Sequence, residues 1–131
     1  MTLINQSLFS DLLRQAAVTE RKRINYDLRT NAEDGGQRML NALMPETIVP
    51  IHRHPNSNET VLLLQGKLYE VLFDDDGKEM ERILLEVTQG NMGCVVPQGV
   101  WHTVEVIEPS VIYEAKDGRY GEDGSESWKN L

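Results

Sequence analysis

From Ile24 to Ala115 the chain is a succession of short segments in which apolar and polar residues alternate, each closed by a turn signal. Ile24, Tyr26 and Leu28 alternate with Asn25, Asp27 and Arg29, a period of two that sends the two sets to opposite faces of a strand. Asp34-Gly35-Gly36 marks the following turn, and 38–44 reads as the next strand. Pro45 and Pro50 bracket a further short extended piece, because proline cannot donate to a ladder. Strand-like runs follow at 60–64, 67–73, 81–87, 94–96, 103–107 and 111–115. Gly66, Asp74-Asp75-Asp76-Gly77, the 90–93 loop, Pro97-Gln98-Gly99 and Glu108-Pro109-Ser110 separate them. Many short strands between turns predict an all-β barrel or sandwich. Only 8–17 departs from this pattern. Leu8, Phe9, Leu12, Leu13, Ala16 and Ala17 recur at helical spacing, with Ser7 or Ser10 as the expected cap.

The chain has 131 residues, enough for one domain with a core of its own. We expect a single domain over 1–131, with an N-terminal helix in 1–20, a β-barrel in 21–116 and a polar C-terminal tail in 117–131 pinned by Trp128. The net charge of −8 argues against nucleic acid, which needs clustered cations, and against an anionic membrane surface. The exception is Arg21-Lys22-Arg23, which reads either as a solvated connection or as a hold for a sugar phosphate or carboxylate. One cysteine, Cys94, excludes an internal disulfide and fits a reducing cytoplasm. Residues 1–7 lack the basic and apolar pattern of a secretory signal, and no apolar run reaches the roughly 18 residues of a membrane span.

All three histidines fall in one pattern. His52 and His54 flank Arg53, Glu59 follows a turn-forming Pro55-Asn56-Ser57-Asn58, and His102 follows Pro97-Gln98-Gly99. In a strand, His52 and His54 share a face and Arg53 points away. A tight return would bring Glu59 over that face, and a separate strand would bring His102. Neutral imidazoles with one carboxylate suit a divalent transition metal such as Zn, Fe, Ni or Mn. Asp74-Asp75-Asp76 is a hairpin turn and lacks the spaced oxygens of a calcium loop.

The motif His52, His54, Glu59 and Gly66, with the later Pro97, Gly99 and His102, resembles the cupin superfamily. Within it, the chain is similar to WbuC-type cupin-fold metalloproteins associated with surface-polysaccharide gene clusters. The stretches that carry this are 38–43, 50–55, Glu59-Thr60, 101–104 and 113–118. Glu46, Asn91 and Val106 stand where the general motif has Gly, Gly and Asn; these are turn and support positions. The resemblance implies a double-stranded β-helix, a jelly-roll barrel, with His52, His54, Glu59 and His102 holding a metal in its mouth. It also implies a small-molecule ligand in the barrel and a homodimer.

Two classes of function stay open. In the first, a metal with open positions polarises a carbonyl, activates water or, if iron, binds dioxygen. That suits an isomerase, epimerase, lyase or oxygenase acting on a small carbohydrate or nucleotide sugar in polysaccharide biosynthesis. No general base stands out, and Glu46, Tyr69 and Glu105 are the candidates. In the second, the chain is a non-catalytic metal-dependent binding or sensing module. A metal that only stabilises the fold is a third option. Tyr26 and Tyr69 could line the cavity, and of Arg38 and Asn41 at most one can face inward. Trp101 is expected to pack on the barrel wall, and Cys94 to be a buried small hydrophobe. Metal affinity is expected to fall below roughly pH 6 to 6.5, where imidazoles protonate.

Overall fold

The computed structural model describes residues 1–122 and 124–128. One helix, α1 (Gln6–Val18), precedes eight strands: β1 (Arg23–Asp27), β2 (Gly36–Leu43), β3 (His52–Arg53), β4 (Glu59–Phe73), β5 (Glu79–Leu85), β6 (Gly93–Val96), β7 (Trp101–Asp117) and β8 (Glu126–Ser127). A short 3-10 turn, Val87–Gln89, links β5 to β6. The helix is capped by Asn5, whose side chain accepts from the Leu8 N–H at 3.0 Å, so the cap lies ahead of both expected serines.

All pairings are antiparallel, and the sheet curls around β7. β4 runs beside β7 along its whole length, while β2 and β3 share its other edge. The four runs expected at 60–64, 67–73, 103–107 and 111–115 are therefore two long strands. Gly66 and Pro109 bend this ladder without ending it. Gly66 has φ of +96°, and a Cβ there would collide with Pro109 O and Ser110 Oγ. Ser110 takes up the strain-free hydrogen bonds of the corner, accepting from Lys67 N–H and donating to Glu108 O. The piece expected between the two prolines forms no strand; the ladder resumes only at His52. The polar tail is partly ordered, since β8 pairs with β3 and Trp128 packs on Trp101 at 4.8 Å between centroids. Residues 123 and 129–131 of that tail lie outside the described residues.

The period-two alternation makes two cores. Ile24, Tyr26, Leu40, Ala42, Val111 and Tyr113 point out of the barrel, where Phe9, Leu12 and Ala16 of α1 cover them. Tyr26 is thus packing, not cavity lining. Inside, Leu43, Val61, Leu63, Leu68, Leu85 and Ile112 fill one end of the barrel, with half-buried Cys94 against them. Burial pushes the Cys94 thiol up to about 12, so it stays protonated. The inward positions that continue toward the other end are polar apart from Met39: Asn25 on β1, Gln37 and Asn41 on β2, Glu114 and Lys116 on β7. A barrel that is oily at one end and polar at the other has a floor and a mouth.

Candidate metal centre

The mouth end gathers the four residues singled out by spacing. His52 lies in β3, His54 just beyond it, Glu59 opens β4 and His102 is the second residue of β7. The register places His52 directly opposite His102. One ligand atom from each of the four lies within 4.8 Å of the others. Ring centroids are 5.1 Å apart for His52–His54, 4.3 Å for His52–His102 and 5.3 Å for His54–His102. Arg53 points the other way, 4.3 Å from the Trp101 ring and paired with Glu126.

The outer nitrogens fix the rings. His52 Nδ1 donates to Pro50 O at 2.8 Å, and His102 Nδ1 donates to Val100 O at 2.9 Å. A carbonyl can only accept, so in the neutral ring each Nε2 keeps its lone pair, aimed inward. His54 Nδ1 meets the Ser125 hydroxyl at 2.7 Å. This is the outer-shell arrangement that orients metal-binding histidines. His102 Nε2 is sealed from solvent with no hydrogen-bond partner among the described residues, since Glu59 Oε1 at 3.7 Å is too far to accept. Such an orphaned buried nitrogen is what a metal would satisfy. The donor set, three imidazoles and a carboxylate, fits a divalent transition ion.

The electrostatics agree. Burial, then the neighbouring His102, lowers the His52 pKa to about 4, so this ring is neutral at physiological pH. Burial acts to raise the Glu59 carboxyl. The His102 and His54 imidazoles beside it, and the Lys116 ammonium 3.6 Å away, outweigh it and hold Glu59 ionised. One carboxylate and neutral imidazoles are the ligating forms.

Two further acids escaped the sequence reading. A cavity of about 90 Å³ behind the centre is lined by Asn41, His52, Glu59, Glu70, His102 and Glu114, among others. Glu70 is 1 % exposed, and neither of its carboxyl oxygens has a hydrogen-bond partner among the described residues. Burial, and then the Glu59 and Glu114 charges, raise its pKa well above the ordinary value. Burial likewise raises Glu114 to about 7, against the Asn41 amide that donates to it at 3.0 Å. The signal was present: Glu70 interrupts the apolar phase Leu68, Leu72 of its strand. The acid and base candidates named earlier do not reach the site. Glu46 and Glu105 are exposed, and Tyr69 faces Arg82 on the outer surface. Of the pair on β2, Asn41 faces inward and Arg38 turns to Asp34. A larger groove of about 800 Å³, beside Arg53, Trp101 and Trp128, lies on the far side of β3 from the imidazoles.

A family model described as a domain of unknown function, DUF6016, matches residues 4–85. The chain belongs to that family. No curated protein matches this DUF6016 chain. Among solved structures, CapF bound to 3-isopropenyl-tropolone aligns with a TM-score of 0.69 at 18 % identity, covering 84 % of this chain and 32 % of CapF. Oxalate decarboxylase of Bacillus subtilis, described for its Mn(II) centres, aligns at 0.61 and 25 % identity, covering 80 % of this chain and 27 % of that one. Oxalate oxidase with the substrate analogue glycolate aligns at 0.60 and 19 %, covering 87 % and 61 %. These are cupin jelly-roll proteins, and the DUF6016 chain has their fold. It spans about a third of CapF and of the decarboxylase, and under two thirds of the oxidase. No helix among the described residues is long and apolar enough to cross a membrane.

Proposed function

We propose that this chain is a metal-dependent cupin for a small carbohydrate or nucleotide sugar, with His52, His54, Glu59 and His102 as the ligands of one divalent transition metal. The observation that carries the reading is the convergence of four ligand atoms within 4.8 Å, with the outer nitrogens of the three rings tied off. The WbuC-type resemblance supplies the surface-polysaccharide context. The Mn(II) centres named for the decarboxylase favour manganese among the candidate ions.

A metal held here would act as a Lewis acid toward a substrate oxygen. The chain's own residues do the rest. Lys116 and the imidazoles keep Glu59 ionised, and Val61, Val104 and Ile112 supply the apolar part of the inner cavity's wall. Burial raises the pKa of Glu70 well above the ordinary value, and its carboxyl oxygens have no hydrogen-bond partner among the described residues. Glu70 is our candidate for the proton-transfer group that isomerase, epimerase or lyase chemistry needs. Pairing between copies belongs to the same reading: Leu62 and Val95 leave apolar surface exposed on the outer sheet face, and sedimentation at micromolar concentration tests it.

Elemental analysis of purified protein, followed by turnover assays of the metal-loaded form on sugar phosphates and nucleotide sugars, tests the function. Bound metal with turnover, lost in Glu70→Gln, supports the enzyme. A ligand that raises the melting temperature without turnover points to the binding or sensing module. Protein that takes up no Zn, Fe, Mn or Ni at neutral pH defeats both.

A further inference from the structure

The barrel mouth opens outward from the metal centre into a pocket of about 300 Å³, of which His52, Asn41 and Glu114 form the inner wall. Arg21 and Arg23 stand on its rim. The chain has eight arginines. Six of them, Arg14, Arg29, Arg38, Arg53, Arg82 and Arg119, are each paired with an Asp or Glu. Arg21 and Arg23 are the two that have no carboxylate partner among the described residues. With 21 acidic residues available, that exception is notable because both fall on one pocket.

The local chemistry explains why the pair is poised. Arg23 spends Nη1 on two neutral acceptors, Thr47 Oγ1 at 3.3 Å and Ile48 O at 3.1 Å. These bonds set the direction of the guanidinium without neutralising it. Burial, and then the Arg21 charge, disfavour the Arg23 cation, so an anion between the two would relieve both. Guanidinium groups match phosphate and carboxylate oxygens in planar, two-point fashion. Deeper in, the Asn41 amide donates to Glu114, but its Oδ1 is buried with no partner among the described residues. The pocket is near the lower end of the size range of small-molecule sites.

We propose that this mouth binds a monosaccharide-sized molecule carrying one oxyanion, phosphate or carboxylate, with the anion on Arg21 and Arg23. The orientation it sets would point the rest of the molecule at His52, and in this respect it rests on the metal reading above. An acidic chain that keeps two uncompensated arginines at one opening selects anions there and repels them elsewhere.

Calorimetry on Mn(II)-loaded and on chelator-stripped protein, with glucose 6-phosphate, glucuronate and glucose as probes, tests this. We expect at least one anionic sugar to bind ten-fold or more tightly than glucose, and its affinity to drop with added salt. Whichever anion binds more tightly identifies the group. Arg21→Ala and Arg23→Ala should each weaken the anionic sugar roughly ten- to a hundred-fold and leave metal content unchanged. Arg23 also ties down the 47–48 segment, so the exposed Arg21→Glu serves where Arg23→Ala fails to fold; it should abolish the preference. Anionic sugars that bind no better than glucose, or equally well to Arg21→Glu, overturn the proposal. Protein that binds the anion yet takes up no metal overturns the metal reading and leaves this one standing.

Discussion

His52 faces His102 directly across the β3–β7 ladder, with ring centroids 4.3 Å apart. Two imidazolium ions at that distance would repel strongly in a buried site, and burial with this proximity keeps His52 neutral down to about pH 4. With both Nδ1 atoms committed to carbonyls, the inner nitrogens of the two rings are the atoms left to meet a cation.

His102→Ala removes one of those lone pairs and should lower metal affinity by more than roughly 100-fold. Ser125→Ala removes only the hydroxyl that steadies His54 and should cost roughly 10-fold. Arg53→Ala, whose side chain lies on the other face of β3 against Trp101, should leave affinity unchanged. Competition against a chromogenic chelator ranks the three. An Arg53 variant as impaired as the His102 variant would contradict the geometry.

The His52 shift also sets a pH dependence for the metal-free protein. Its folded pKa, about 4, lies below the ordinary 6.5, so between these values the unfolded chain holds a proton that the folded chain does not. The contribution of His52 is therefore present in full above pH 6.5 and lost as pH falls toward 4. Relative to His52→Gln, the parent should lose on the order of 2–3 kcal/mol across that window. Urea titrations at several pH values measure it. It follows too that protons do not compete with metal for His52 at pH 5 to 6, so His52 itself does not produce the fall in affinity expected there of ordinary imidazoles.

The clustering of the four residues and the β-class were legible because both rest on spacing. His-x-His reports a shared strand face, and alternation reports strands. Continuity was not legible: Gly66 and Pro109 look like chain breaks, yet in space they face each other at one corner of a continuous two-strand ladder. Which face of β1 and β2 looks inward was also hidden. Alternation is symmetric, and only the docking of Phe9 and Leu12 on the apolar side shows that Asn25 and Asn41, not Tyr26, line the mouth. Glu70 was passed over because it sits within a run that otherwise reads as core.

Gly66→Ala tests the corner. The residue holds φ of +96°, and the added methyl would overlap Pro109 O and Ser110 Oγ on the facing strand. Both the backbone conformation and the backbone neighbour resist it, so a loss of about 2–4 kcal/mol is expected. Gly90→Ala, also at positive φ but in open space, should cost clearly less, about 1 kcal/mol. Equal costs in thermal melts would show that the β4–β7 corner does not depend on that close approach.

Leu12→Ala separates stability from the site. Leu12 is 3 % exposed and belongs to the outer core beneath α1, away from the imidazoles. Its truncation should cost about 2–4 kcal/mol while leaving metal affinity within two-fold of the parent. A variant that folds but loses metal would mean that the helix shapes the mouth through β1 and β2.

Glu70 makes the opposite trade. Its folded pKa is raised well above the unfolded one, so in the interval between them the folded state keeps a proton that the unfolded state has released. Its favourable linkage is complete below about pH 4.5 and fades as pH rises through the folded value; Glu114, at about 7, adds to the same slope. Replacing an unpartnered buried acid by an apolar residue of similar size removes a desolvation cost. Glu70→Leu should therefore be about 1–3 kcal/mol more stable than the parent at pH 8, with a smaller gain at pH 5. If Glu70 handles the proton in catalysis, the same variant should bind metal normally and turn over nothing. Denaturant melts at the two pH values check the first half. A parent whose advantage over Glu70→Leu grows toward alkaline pH would show that Glu70 is ionised and held by a partner, and would remove it as the proton donor of the cavity.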